Sequence, residues 1–143
     1  MTLPQEALAA QGSSEVQDFG GLILPAEKIF DAARTEADLT SACEPAKGAK
    51  AIRTATVDVL KQAMQSGRAE IARALDKNPF ASGPAVKSYS YLMDGIVTAA
   101  HNVVLRFLHP CPNPTEAEKF TIFAVGGTAG LTWRRFPMSI CYF

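Results

Sequence analysis

Between residues 49 and 75 the apolar side chains recur at helical spacing. Val57, Leu60, Met64, Ile71 and Leu75 are separated by three, four or seven positions, which sets them on one face of a helix. Lys61, Arg68, Glu70 and Arg73 are left for the wetter side. Gly67 interrupts the run, and because an interior glycine costs about 1 kcal/mol against alanine, a bend is expected there. "DKNPFASGP" then opposes helix continuation through its Asn-Pro and Ser-Gly-Pro steps. A second helix is expected from about Pro84 to Leu108. Leu92, Ile96, Ala99, Val103 and Phe107 form one stripe, widened by Met93, Val97, Ala100, Val104 and Leu108. So broad an apolar face implies burial against more than one neighbour. Two long helices joined by a short loop most simply make an antiparallel hairpin.

The flanks are less regular. The first forty-odd residues are weakly patterned, although "GGLILPAEKIFDAA" admits a short helix starting near Pro25, a residue tolerated in a first helical turn. "SACEPAKGAK" is rich in small residues, Pro and Gly and reads as a linker. Residues 1–48 are therefore expected to be a weakly ordered segment and residues 49–118 a helical region. Beyond the second helix, the prolines of "HPCPNPTEAEKF" end it, and Thr115 with Glu118 makes a capping-box pattern for a short helix. "KFTIFAVGG", residues 119–127, is the one convincing strand, and its apolar run suggests burial on both faces. A lone buried strand has no sheet to join, so the chain reads as incomplete. No internal repeat is present.

Composition narrows the class without naming a chemistry. In 143 residues, 48% hydrophobic and 20% charged, there is material for one globular domain with a sizeable core. The formal net charge is zero, so no nucleic acid and no anionic membrane surface is expected as partner. The longest apolar candidate, "IVTAAHNVVLRFL", is broken by His101, Asn102 and Arg106 and falls short of a bilayer span. The first twenty residues show neither a basic start nor a long apolar stretch, so no signal peptide is expected. Cys43, Cys111 and Cys141 are odd in number and widely spaced, as expected of reduced thiols in a cytoplasmic protein.

Candidate chemistry centres on Gly126 and Gly127. A strand running into two glycines lets backbone approach a phosphate closely, although most such turns are only turns. Nucleotidyl transfer also needs carboxylates to hold Mg²⁺ against the triphosphate. After Gly127 the chain contains no Asp or Glu. The other polar residues are bland. His101 reads as a helix histidine near the buried stripe, and Asp94 and Glu118 as surface or capping residues. His109 with Cys111 is too small a set for structural zinc, which takes four ligands. Arg134 and Arg135 beside Trp133 could stack on a base, but a pair of terminal arginines is more often incidental. No catalytic residue and no metal ligand is assigned.

A family resemblance gives these fragments a context. "GRAEIARALD", "YSYLMDGIVTAAHNVVLRFLHPCPNPTEAEKFTIFAVGG", and within it the "YLMD…H" helix, the "NPT.AE" link and the strand ending "AVGG", resemble the N-terminal part of bacterial PII uridylyltransferase/uridylyl-removing enzymes. The resemblance runs from about Ala49 to Gly127. In that family the strand continues as GGYGRGxLxPxSDxDLLF; the Gly-Gly turn faces the phosphates of UTP and the Asp-x-Asp pair binds Mg²⁺. The resemblance implies Gly126 and Gly127 as nucleotide-binding residues, Mg as cofactor, and UTP and the PII signal protein as partners. It implies a mainly α fold, with a long antiparallel helical hairpin followed by the first strand of an incomplete α/β nucleotidyltransferase domain.

The match stops at Gly127, and residues 128–143 read as the same motif in a shifted frame. Joining the last base of each codon to the first two of the next, Thr128 yields Tyr, His, Asn or Asp, where the family has Tyr. Ala129 and Gly130 then admit Gly and Arg, Thr132 with Trp133 admits Leu, and Trp133 with Arg134 gives Ala. Arg135 admits Pro, Phe136 with Pro137 admits Ser, and Met138 supplies Asp and Val. Ser139 with Ile140 admits the second Asp, and Cys141, Tyr142 and Phe143 admit Leu, Leu and Phe. At each position it recovers, the string YGR-x-x-LAP-x-SDVDLLF admits the family residue; the glycine that the family has after YGR is not among them. As written, the chain lacks the Asp pair, so the resemblance implies an enzyme whose fragment here is inactive. A small helical protein-interaction module with no catalytic role is the alternative. It accounts for the broad apolar stripe but not for the out-of-frame match.

Overall fold

The computed structural model describes residues 21–110. Four α-helices follow one another: α1 (Ala26–Ile29), α2 (Ala32–Cys43), α3 (Ala49–Lys77) and α4 (Ser82–Val103). A single π-helical turn, Val104–Leu108, prolongs α4 and closes where the His109 N–H donates to the Val104 carbonyl at 2.8 Å. The described part is thus mainly helical, with the two long helices near their expected bounds. The expected strand over 119–127, the capping box at Thr115 and Glu118 and the tail over 128–143 lie outside the described residues.

The N-terminal flank differs from expectation. Residues 26–43, read as part of a weakly ordered segment, form α1 and α2 and supply Ile29, Phe30, Leu39 and Cys43 to the core. Asp31 starts α2: its carboxylate accepts the Arg34 N–H at 3.0 Å while the Thr35 hydroxyl donates to its carbonyl at 2.7 Å. The apparent linker at 41–50 is shorter than it reads, because α2 continues through Cys43. Cys43 packs against α3, its Sγ 3.6 Å from the Thr56 hydroxyl. That contact turns the buried line of α3 toward Thr56, Leu60, Gly67 and Ile71. Val57, expected on the buried face, is consequently 60% exposed.

Gly67 makes no break in α3, which runs unbroken from 49 to 77. A side chain there would run into the Ile29 carbonyl oxygen and would stand 2.7 Å from Leu92 Cδ1. The glycine is where α1, α3 and α4 meet, and the missing Cβ permits that approach. Gly95 does the same on α4, where a Cβ would overlap the ring of Phe30. Upstream of α1, the Ile23 N–H donates to Ser88 Oγ at 2.9 Å, and that hydroxyl donates to the Pro84 carbonyl at 2.8 Å. The segment before α1 is tied to α4 in this way. The core of the described residues is built on Ile29, Ile71 and Leu92, all nearly fully buried.

The broad stripe of α4 is buried on one side only. Leu92, Ile96 and Val103 are in the core, while Met93 and Val97 are each 39% exposed and Val104 37%. Burial against more than one neighbour is met, since α1, α2 and α3 all pack on α4, but part of the stripe stays half exposed. Helices α1 and α3 meet α4 around Leu92 and Phe30, and α2 faces it beside Val103 and Arg106.

Candidate functional site

Gly126 and Gly127, which the family resemblance implies as nucleotide-binding residues, lie outside the described residues. Cys111, Trp133, Arg134 and Arg135 lie outside them too. Within them, the best-formed concavity is a cavity of about 590 Å³ between α1–α2 and α4. It arises because α2 starts at Asp31 and runs alongside α4 without closing on it fully. Phe30 and Leu39 from the N-terminal helices and Val103 and Phe107 from α4 and its π turn give an apolar floor. Lys87, Tyr91, Asp94, Asn102 and Arg106 from α4, with Glu36 and Thr40 from α2, give a polar wall.

The polar wall follows from helical period. Lys87, Tyr91, Asp94, Thr98 and Asn102 are spaced by three or four residues and line the same cavity. At its far end Arg106 donates to the Thr40 hydroxyl at 3.3 Å, stands 3.8 Å from the Glu36 carboxylate and lies 5.5 Å from the centre of the Phe107 ring. Both charged side chains are more than half exposed, so this pair contributes at most about 1 kcal/mol. Burial pushes the Asp94 carboxyl above the usual carboxylate range. Sequence reasoning had put Asp94 on the surface; its spacing from Lys87 and Tyr91 was the signal for a shared wall.

His101 is buried and does not line the cavity. Burial holds its imidazole below the ordinary value of 6.5, and a hydrogen bond with the Asn102 side chain acts the other way. Among the described residues no group of three or more His, Cys, Asp and Glu could hold a metal ion, so they do not fit the Mg²⁺ that the resemblance implies. No step can be routed through that ion from these residues. The arrangement offers binding surface: an apolar floor, the Asp94 carboxyl that burial raises above the usual range, and cations at both ends. Among the described residues, no helix is long and apolar enough to cross a membrane.

Comparison with known proteins supplies the class and then the family. No family model matches the chain, and no solved structure matches it. Curated proteins do match, and their shared name describes nucleotidyl-transferring enzymes with an opposing, nucleotidyl-removing activity. A bifunctional uridylyltransferase/uridylyl-removing enzyme of Ruegeria pomeroyi is 38% identical over 99 residues, which is 69% of this chain and 11% of that protein. Proteins of the same name from Cereibacter sphaeroides and Azospirillum brasilense are 34% and 32% identical over 76% and 83% of this chain. The chain belongs to the bifunctional uridylyltransferase/uridylyl-removing enzyme family. It spans only 11% to 13% of the length of these three relatives.

Proposed function

We propose that this chain is the N-terminal part of an enzyme that transfers UMP from UTP to a tyrosine of the PII signal protein and removes it hydrolytically in response to glutamine. The observation that supports this is the 38% identity across 99 residues to a protein bearing that bifunctional name, of which the chain spans 11%. On this reading the work is done in the cytoplasm with Mg²⁺, and the described helices stand beside the catalytic domain and take no part in its chemistry. Helices α3 and α4 make the antiparallel hairpin. Their connection spans residues 78–81, and Gly67 meets Leu92 at equal distances along the chain from its middle. Residues 119–127 make the first strand and Gly-Gly turn of the nucleotidyltransferase domain, and residues 128–143 are translated out of frame.

The chain as written is inactive on this reading, because no carboxylate follows Gly127 to neutralise a triphosphate. The exposed side of α4 by itself would suit a helical interaction module equally well. The named relatives and the frame-shifted motif favour the fragment. Sequencing the DNA across the Gly127 codon and onward tests the reading: a downstream frame encoding the rest of the enzyme is expected, and a clean stop without one would sink it. Purified chain incubated with labelled UTP, Mg²⁺ and PII protein should transfer no label. Transfer above a no-enzyme control would remove the claim of inactivity.

A further inference from the structure

The side of α4 turned away from the core carries an unusual combination. Val86, Tyr89, Met93, Val97 and Val104 are 51%, 36%, 39%, 39% and 37% exposed and fall at helical spacing along one stripe. No Lys, Arg, Asp or Glu belongs to the stripe. Beside it, Ser90 and His101 are only 6% and 7% exposed. At 3.6 residues per turn these two lie about 160–180° around the axis from Leu92, on the far side of the helix from the core. Polar side chains buried there, next to half-exposed apolar ones, mark a side of the helix that is partly covered.

We propose that this side of α4 is the docking surface for residues 120–125 of the same chain, the apolar run Phe-Thr-Ile-Phe-Ala-Val. Three observations select that occupant. The described chain leaves at Pro110, directly after the C-terminal end of the stripe. The twelve residues from Leu108 to Phe120 can reach about 40 Å, and the stripe from Val104 back to Val86 is about 27 Å long, so a six-residue strand of about 20 Å fits along it. Charge is the third. Residues 120–125 carry none and neither does the stripe, whereas residues 1–20 bring Glu6, Glu15 and Asp18 and have no comparable apolar run. A helix laid by its apolar stripe on a strand of the next layer is how a helical segment shares a core with a sheet. The inference rests on the proposed reading only in taking residues 120–125 as a strand.

Disulfide trapping in the whole 143-residue chain tests it. Cys111 and Cys141 are replaced by Ser; Cys43, only 1% exposed, stays in place. Val97→Cys is combined with Ile122→Cys in one variant and with Phe123→Cys in another, since successive strand residues face opposite ways. Val57→Cys, on the exposed side of α3, replaces Val97→Cys in the controls. At low protein concentration, at least one Val97→Cys pair should form an intramolecular disulfide about tenfold faster than its Val57→Cys control, as effective concentration requires. Equal rates would overturn the proposal, as would disulfide-linked dimers without the intramolecular product, which would assign the surface to a second copy. A second measurement covers variants that lose their helical circular dichroism. In the otherwise unaltered chain, Val97→Asp should lower the melting temperature by about 4–8 °C and Val57→Asp should not; equal melting of the two overturns the proposal. None of these readouts involves UTP, so their failure is separable from failure of the enzymatic reading.

Discussion

Three pairs of sequence neighbours on α4 differ in burial but hardly in chemistry. Leu92, Ile96 and Val103 are 1%, 8% and 4% exposed; Met93, Val97 and Val104, each one residue further on, are 39%, 39% and 37% exposed. One residue is about 100° of rotation at 3.6 residues per turn, and that rotation separates the side met by α1, α2 and α3 from the side met by none of them. Hydrophobicity decides that a helix has an apolar face. Which part of that face becomes core is decided by where the neighbouring helices lie.

The strongest way to break this contrast is to truncate one member of a pair. Leu92→Ala should destabilise the chain by about 2–5 kcal/mol, because the side chain is fully enclosed and its removal leaves a cavity beside Gly67. Met93→Ala should cost less, about 1–2 kcal/mol, because its side chain is only partly covered. Denaturant unfolding followed by circular dichroism measures both, and similar losses would mean that the two sides of α4 are equally buried in solution.

A second variant probes why the inner side can be so close. Gly67→Ala gains about 1 kcal/mol of helix propensity. Its methyl group, however, must displace the Ile29 backbone and Leu92, with overpacking of about 1–3 kcal/mol. Net destabilisation is expected, visible as a lower denaturant midpoint with an unchanged slope. A stabilised variant would show that α1 does not approach α3 as described. Asp31→Ala addresses the same packing from the other end. It removes the side-chain acceptor of the Arg34 N–H at the start of α2, and should cost about 0.5–2 kcal/mol in the same unfolding experiment. No loss would mean that α2 does not begin there.

The long elements were legible because period accumulates over many residues: α3 and α4 span 29 and 22, enough for repeated apolar positions to outvote exceptions. Helix α2 was not legible for a physical reason. Its buried line is Thr35, Leu39 and Cys43, at perfect four-residue spacing but with one polar member and one small one. The period was there; the hydrophobicity was not. At Gly67 the sequence shows only the propensity cost of a helical glycine and not the Ile29 carbonyl that the missing Cβ accommodates. The cavity wall of Lys87, Tyr91 and Asp94 is also periodic, but a polar stripe looks like solvent exposure until the second helix that faces it is known. Gly126 and Gly127 are implied as nucleotide-binding residues only by the family motif and lie outside the described residues, so the structure does not bear on them.

The smallest expected effect lies on the outer side of α4, at His101. Its imidazole is buried among the residues of that side, and burial lowers its pKa from 6.5. In the unfolded chain the ring takes up a proton as the pH falls through about that value, while in the folded chain it resists until the pH is lower. The unfolded state therefore binds more protons in this window, so stability rises with pH across it and is lost on acidification. Asp94 works in the opposite sense. Its raised pKa means the folded state keeps a proton longer, so its contribution declines as the pH rises from 3.8. Between pH 8 and the histidine window the melting temperature should hence be flat, and it should fall as His101 is driven toward protonation. His101→Gln should abolish that fall while leaving the higher-pH melting temperature little changed. Melting curves of the two proteins across this range decide it: a parallel fall in both would mean that the covering of α4's outer side is not what sets the acid sensitivity.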